Sequence, residues 1–222
     1  MYRGILDSNI KNVTSGLILN LDASQLRSYP GTGTTWTDLS GNSNNGTLTN
    51  GPTFSSANGG SIVFDGINDF AALGTPSALK FASGAFTVDM WFKTNNAVSP
   101  QVLISYGNDA YAFYIHNGQI WFAKPRAAND GGGPSISSNI WYHVALIDNI
   151  GTNILYYLNG VLTNTNTFTQ TPTYLKSLRI GSSDDEGYYF NGNIASSKVY
   201  NRALSASEVL QNYNVTKARF GL

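Results

Sequence analysis

Trp141-Tyr-His-Val-Ala-Leu-Ile147 opens a series that continues through Tyr156-Tyr-Leu-Asn-Gly160-Val161, Leu178-Arg-Ile-Gly181, Tyr189-Phe-Asn-Gly192-Asn-Ile194 and Val199-Tyr-Asn-Arg-Ala-Leu-Ser205. Each piece is a short run of β-branched and aromatic residues closed by Asn-Gly or Gly, the mark of strands joined by tight turns. Working back towards the N-terminus, the same grammar recurs. Phe86-Thr-Val-Asp-Met-Trp-Phe92 alternates, with Phe86, Val88, Met90 and Phe92 on one face and Thr87, Asp89 and Trp91 on the other. Leu17–Leu21, Ser61–Phe64, Phe70–Leu73, Val102–Ser105, Tyr111–Ile115 and Gln119–Phe122 read as further strands. The Asn50-Gly51 turn joins Thr47–Thr49 to Pro52–Phe54, and Asn117-Gly118 joins the two strands that flank it. About a dozen such elements are most economically packed as two antiparallel sheets.

One helix is specified. Ser205-Ala-Ser-Glu208 is a capping box, and Leu204 and Val209 stand where a hydrophobic staple closes the entry turn. The helix is expected over about residues 206–213, as a lid over one end of the sandwich.

Composition narrows the function classes. The 222 residues suffice for one all-β domain with a full core. Only 12% of residues are charged, the net charge is zero and no Lys/Arg cluster occurs, so a nucleic-acid partner is not expected. No apolar run approaches the roughly 20 residues that span a bilayer, so no membrane partner is expected either. There is no cysteine, which excludes disulfides and thiolate metal sites. The first ten residues carry no apolar segment ahead of a small-residue cleavage site, so no secretory signal is expected.

These motifs, with Gly16-Leu-Ile-Leu-Asn-Leu-Asp22, Asp38-Leu-Ser-Gly41, Phe64-Asp-Gly66 and the tail Val215–Leu222, resemble the laminin-G-like, concanavalin A-like lectin/glucanase jelly-roll domains found in tailed-phage structural proteins. The resemblance covers roughly residues 16–220. It implies an all-β, two-sheet antiparallel jelly-roll sandwich with one short C-terminal helix, and a division into an N-terminal docking arm, 1–15, and the domain proper, 16–222. It also implies a non-enzymatic virion protein, a capsid decoration or fibre module, that docks other virion proteins through the arm and touches host-surface glycans. A homo-oligomer is compatible with this reading. The alternative is a soluble, calcium-dependent carbohydrate-binding lectin.

Hydrolases of this fold carry two or three carboxylates on one strand as Glu-x-Asp-x-x-Glu, which places acid and nucleophile together. Here the only glutamates are Glu186, beside a turn, and Glu208, in the helix cap, while the comparable strand carries Asp89 alone. His116 and His143 form no nucleophile or zinc motif, and His143 is expected to be a structural strand residue. No catalytic residue is therefore assigned and no cofactor is required.

Glycan binding needs exposed aromatics to stack on sugar rings and amides or carboxylates to read hydroxyls. The candidates are Tyr106, Asn108, Asp109, Tyr111, Trp121 and Tyr188, with Tyr114, Tyr189, Asn129 and Asp130 as neighbours in sequence. Trp36, Trp91 and Trp141 are expected to be packing anchors. Members of the family often hold Ca²⁺ at the sandwich rim, and the residues able to contribute oxygens are Asp65, Asn68 and Asp69 in one turn and Asp184 and Asp185 in another.

Overall fold

A computed structural model describes residues 11–81, 83–107, 111–123, 132–169, 176–184 and 187–222. In chain order the strands are β1 (Leu17–Asp22), β2 (Thr35–Trp36), β3 (Gly46–Thr49), β4 (Thr53–Ser55), β5 (Ser61–Asp65), β6 (Phe70–Gly74), β7 (Ala85–Thr94) and β8 (Gln101–Ser105). They continue with β9 (Ala112–His116), β10 (Gln119–Ala123), β11 (Tyr142–Asn149), β12 (Asn153–Leu158), β13 (Val161–Thr167), β14 (Leu178–Ile180) and β15 (Asn191–Tyr200), before helix α1 (Ala206–Thr216). All pairings are antiparallel.

The first sheet runs β13-β12-β11-β7-β15-β5-β4, with β1 also on β15; the second runs β10-β9-β8-β14-β6-β3-β2. Strand β15 is long enough to serve two neighbours on one side, β5 along Asn191–Ile194 and β1 along Ser196–Tyr200. The core lies between the sheets. Phe86, Val88, Met90 and Phe92 of β7 meet Ile104, Phe113, Ile115, Ile120 and Phe122 of the second sheet in one cluster. The two-sheet, jelly-roll class expected from the sequence is the one observed.

Two Asn-Gly signals act as hairpins. Asn117-Gly118 and Asn159-Gly160 both adopt positive φ at each residue, the conformation a two-residue turn needs to match strand twist. Asn50-Gly51 also has positive φ at both positions but makes no hairpin: β3 joins the second sheet and β4 the first. The turn Asp65–Asp69 likewise passes the chain from β5 in one sheet to β6 in the other. These two turns are crossovers, because a Greek-key sandwich alternates sheets where a local turn signal cannot say which strand comes next.

Both faces of β7 are buried, which its alternation did not foretell. Thr87, Asp89 and Trp91 face outward from the sandwich, yet each is fully enclosed. Helix α1 and the 3-10 turn Lys217–Phe220 cover them, so the helix lies across the outer face of the first sheet, not over an end of the sandwich. Its capping box is complete: Glu208 N–H donates to Ser205 Oγ at 3.3 Å and Ser205 N–H donates to Glu208 Oε2 at 2.8 Å. Leu204 and Val209 share a buried cluster with Val13, Tyr157 and Tyr200, which closes the staple. Trp91 donates from Nε1 to Thr216 Oγ1 at 2.7 Å, with its ring 4.1 Å from that of Phe220.

Beneath the helix sits a buried polar cluster. His143 Nε2 lies 3.0 Å from Asp89 Oδ2, and Lys198 Nζ lies 3.6 Å from Asp89 Oδ1. Asn212 of α1 donates from Nδ2 to Asp89 Oδ2 and to the Tyr200 hydroxyl, both at 3.0 Å. Its Oδ1 accepts from Val13 N–H at 2.9 Å, while Tyr200 donates to the Val13 carbonyl at 3.1 Å. Burial alone would raise the Asp89 carboxyl, but the His143 and Lys198 charges and the donors from His143 and Asn212 outweigh it and hold the group well below the usual carboxylate range. An ionised Asp89 only accepts, so His143 Nε2 carries the proton. Burial and the Asp89 charge push the Tyr200 phenol well above its ordinary value, so it stays a donor.

The same contacts reach the segment expected to be the N-terminal arm. Val13 is 7% exposed and tied to α1, Gln211 donates to the Lys11 carbonyl at 2.6 Å, and Arg202 donates to the Ser15 carbonyl at 2.9 Å. Lys11, Val13 and Ser15 thus contact α1 and the chain before it, while residues 1–10 of the expected arm lie outside the described residues.

Candidate functional site

The outward face of the second sheet has no helix over it among the described residues. Register identifies which side chains share that face. Trp121 of β10 pairs with Tyr114 of β9, and Tyr114 pairs with Val102 of β8. Val102 N–H donates to the Tyr188 carbonyl at 2.8 Å, which extends the row past the end of β14. Trp121 and Tyr114 are half-buried, their rings near-parallel with centroids 6.5 Å apart, and Trp121 Nε1 is fixed by donation to the His116 carbonyl at 3.0 Å. Tyr188, 44% exposed, has φ of +46°, a left-handed conformation uncommon for a bulky residue.

The adjacent row runs Ala112–Ser105–Arg179–Ala72–Thr47 across β9, β8, β14, β6 and β3. Arg179 stands at its centre, with its guanidinium 4.2 Å from the Phe70 ring centre and Nη2 bound to Asp184 Oδ1. Asp184 Oδ2 also accepts from Ser177 N–H at 3.2 Å, so the carboxylate is held from two sides. Arg179 Nε has no partner among the described residues. The face therefore carries an aromatic pair and a positioned cation–carboxylate couple, with Val102, Ser105 and Ala112 buried between them. Such a surface can stack on apolar ring faces while reading hydroxyls.

The sequence candidates divide. Trp121 and Asp184 come to this one face and Tyr114 joins them, while the Tyr188 backbone adjoins it through Val102. Tyr106 and Tyr111 do not: both are fully buried, their rings 5.3 Å apart and edge-on, with Tyr111 also packed on Phe86. Tyr106 N–H donates to the Tyr111 carbonyl at 3.0 Å, so the two tyrosines close the base of a loop and turn inward, and their expected role as exposed stacking surfaces is corrected. Asn108, Asp109 and Asp185 lie outside the described residues, as do Asn129 and Asp130. Arg179 was not singled out from the sequence, although the alternation of Leu178-Arg-Ile180 between buried and partly exposed positions marks it as the outward residue.

The described calcium candidates fall in two places, Asp65, Asn68 and Asp69 in one turn and Asp184 beside Arg179, while Asp185 lies outside the described residues. Asp65 Oδ1 accepts from Ile67 N–H at 2.7 Å and Asn68 N–H at 3.4 Å, and Asp69 Oδ2 accepts from Asp65 N–H at 3.0 Å. The Asn68 carbonyl is taken by Asn50 Nδ2 at 2.9 Å. Asp69 Oδ1 is buried without a partner, and burial raises that carboxyl's pKa. Ca²⁺ takes six to eight oxygens, and of these Asp65 Oδ1, Asp69 Oδ2 and the Asn68 carbonyl accept from protein donors. No group of three or more His, Cys, Asp and Glu suited to a metal occurs among the described residues.

His143 is a buried strand residue in the cluster under α1, and Asp89 is enclosed with it, out of reach of any polymer. Trp36 and Trp91 are fully buried anchors; Trp141 is half-buried against Phe220 at 4.7 Å.

Comparison with solved structures places the architecture. The binding domain of Paraclostridial Mosquitocidal Protein 1 superposes with a TM-score of 0.71 at 17% identity, covering 90% of this chain and 52% of that one. The botulinum neurotoxin serotype D/C binding domain gives 0.70 at 15% identity, with the same coverage of both chains. This chain thus spans about half the length of those toxin domains. Domain 4 of AbnA, a GH43 extracellular arabinanase from Geobacillus stearothermophilus, solved in complex with arabinotriose, gives 0.70 at 18% identity and covers 90% of this chain and 98% of that one. No curated protein sequence matches this chain. The family model Laminin_G_3, described as the concanavalin A-like lectin/glucanases superfamily, matches residues 64–210, and with the two-sheet architecture this establishes that the chain belongs to that superfamily.

Proposed function

We propose that this chain is a non-enzymatic carbohydrate-binding module that engages glycans on the outward face of its second sheet. The observation that carries this reading is the row Trp121–Tyr114–Val102–Tyr188 beside the Arg179–Asp184 couple. From β10 to β14 is three strand spacings, about 14 Å, a span suited to an oligosaccharide. The AbnA domain of the same fold, which was solved with arabinotriose, supports the choice of ligand class. Glycan-array screening followed by titration calorimetry tests it. Trp121→Ala is expected to weaken the best glycan by about 2- to 13-fold, since loss of a ring contact is worth about 0.5–1.5 kcal/mol. Undiminished binding by Trp121→Ala and Arg179→Ala would refute the placement. Calcium dependence is one arm of the same titration, with chelator-sensitive binding favouring the calcium-dependent lectin reading.

The resemblance of residues 16–22, 38–41, 64–66 and 215–222 to tailed-phage structural proteins favours a virion setting, in which the module decorates a head or fibre and contacts other virion proteins. Quantitative mass spectrometry of purified particles tests this. A count near that of the major shell protein indicates decoration, a few copies indicate a fibre, and absence removes the virion reading while leaving the glycan site to stand alone.

A further inference from the structure

Six Asn-Gly pairs occur in the chain, at Asn45, Asn50, Asn58, Asn117, Asn159 and Asn191, and all six are among the described residues. In such a pair the glycine nitrogen can attack the carbonyl carbon of the asparagine side chain, because the glycine has no Cβ to hinder the approach. Ring closure needs a glycine N–H free to lose its proton, a carboxamide free to turn, and water. The fold decides which pairs meet these terms.

Five pairs are restrained. Asn45 Oδ1 accepts from Asp38 N–H at 2.9 Å, and Gly46 is buried in β3. Asn58 is held at both ends of its amide: Nδ2 donates to the Arg219 carbonyl at 2.9 Å, and Oδ1 accepts from Trp141 Nε1 at 3.2 Å. After Asn117, the Gly118 N–H is engaged by the Ala97 carbonyl at 2.8 Å. Asn159 Oδ1 accepts from His143 N–H at 3.0 Å, and Gly160 is buried against Leu210 and Tyr213. Asn191 Oδ1 accepts from Asn95 Nδ2 at 2.8 Å, and Gly192 is buried in β15 against the Lys93 carbonyl.

Asn50-Gly51 differs because it is a crossover. It follows the last ladder pair of β3, Thr49 with Phe70, and leads into the other sheet, so no hairpin ladder closes over it. Both residues are exposed, and a Cβ built on Gly51 would have nothing within 4 Å. The Gly51 N–H has no hydrogen-bond partner among the described residues. The Asn50 amide is tethered once, by donation from Nδ2 to the exposed Asn68 carbonyl at 2.9 Å, a bond that water replaces at little cost.

We propose that Asn50 is a site of spontaneous deamidation in the folded protein, with water as the co-reactant. The Gly51 nitrogen bonds to Asn50 Cγ, the Cγ–Nδ2 bond breaks, and the amide nitrogen leaves as ammonia with the proton that Gly51 gave up. Water then opens the cyclic imide at either carbonyl, leaving aspartate or isoaspartate at this position. The Asn68 carbonyl thereby loses its donor and meets a carboxylate, in a turn that already carries Asp65 and Asp69. Isoaspartate also adds a methylene to the main chain where it passes between the sheets. None of this rests on the glycan reading.

Prolonged incubation of the full chain at mildly alkaline pH tests it, followed by peptide mapping with fragmentation that separates aspartate from isoaspartate. Conversion at Asn50 is expected to lead that at each of the other five pairs by at least about 10-fold, because those must first break a restraining hydrogen bond or open a strand. In guanidinium chloride the six are expected to convert at similar rates, since the fold no longer selects among them. Asn50→Gln is expected to remove the first acidic species that appears on ion exchange; if it fails to fold by circular dichroism, Asn50→Ser takes its place. Conversion led by any of the other five, or an Asn50 that stays intact in the folded chain while it converts in guanidinium chloride, would overturn the inference.

Discussion

Replacing Asp89 by Asn changes almost no volume yet removes the charge on which the cluster under α1 is built. In the native protein Asp89 accepts from His143 and Asn212 at 3.0 Å each and faces Lys198 Nζ at 3.6 Å, with every one of these side chains enclosed. The variant leaves the Lys198 ammonium in the interior without a counter-charge and sets an amide where a carboxylate accepted twice. Removing one member of a buried ion pair costs about 3–5 kcal/mol. That is a large share of the about 5–15 kcal/mol by which a domain is stable, and for a chain of this length it lowers Tm by roughly 6–20 °C. Equilibrium urea unfolding followed by tryptophan fluorescence reads it directly, because Trp91 lies 5.3 Å from the His143 ring. The companion variant Asp89→Leu/Lys198→Met removes both charges together. It is expected to recover at least about 1 kcal/mol of the loss seen with Asp89→Leu alone, since an apolar pair carries no desolvation penalty. A loss below about 1 kcal/mol for Asp89→Asn, at unchanged denaturant slope, would refute the view that this cluster fastens the helix. The pH dependence has a definite sign. A carboxyl held below its unfolded pKa adds stability that is complete above the unfolded value, about 3.9, and is lost as pH falls through the folded one. Acid titration should therefore show α1 loosening only below about pH 4.

Other outcomes follow from local geometry. Ser205→Ala removes the acceptor of the capping box and should cost about 1 kcal/mol in thermal unfolding. Glu208, held down to about 2 chiefly by its hydrogen bonds from Arg202, supports the same turn above the ordinary glutamate pKa and should lose that contribution as pH falls from there to about 2; Glu208→Gln should flatten this part of a stability–pH curve. Gly192→Ala should prevent normal folding, because at φ of +150° its Cβ would stand 2.2 Å from the Lys93 carbonyl oxygen, where β15 crosses close to β7; soluble expression and circular dichroism check it.

The class of fold was legible because alternation at Phe86–Phe92 and the paired Asn-Gly turns depend only on local conformation. Sheet assignment was not legible. Asn50-Gly51 looks like Asn159-Gly160, and only the strands competing for β6 and β5 send the first across the sandwich. What covers the outward side of β7 was not legible for a related reason: Asp89 and Thr87 are enclosed by chain more than a hundred residues later, beyond the reach of local alternation. Tyr106 and Tyr111 were drawn into the candidate site because they flank a loop, where periodicity ends and cannot tell inward from outward. Arg179 and Tyr114 were readable from alternation, but their place on one face depends on β14 lying next to β8.

The one-sided cladding has an evolutionary consequence. Residues on the covered sheet are constrained from both directions, by the core and by α1, so change there is filtered through stability. Residues on the open face of the other sheet, such as Thr35, Thr47, Tyr114 and Trp121, answer mainly to whatever they touch. Such a molecule can drift towards new ligands on one side while the other keeps its shape, and the two sheets should diverge among its relatives at different rates.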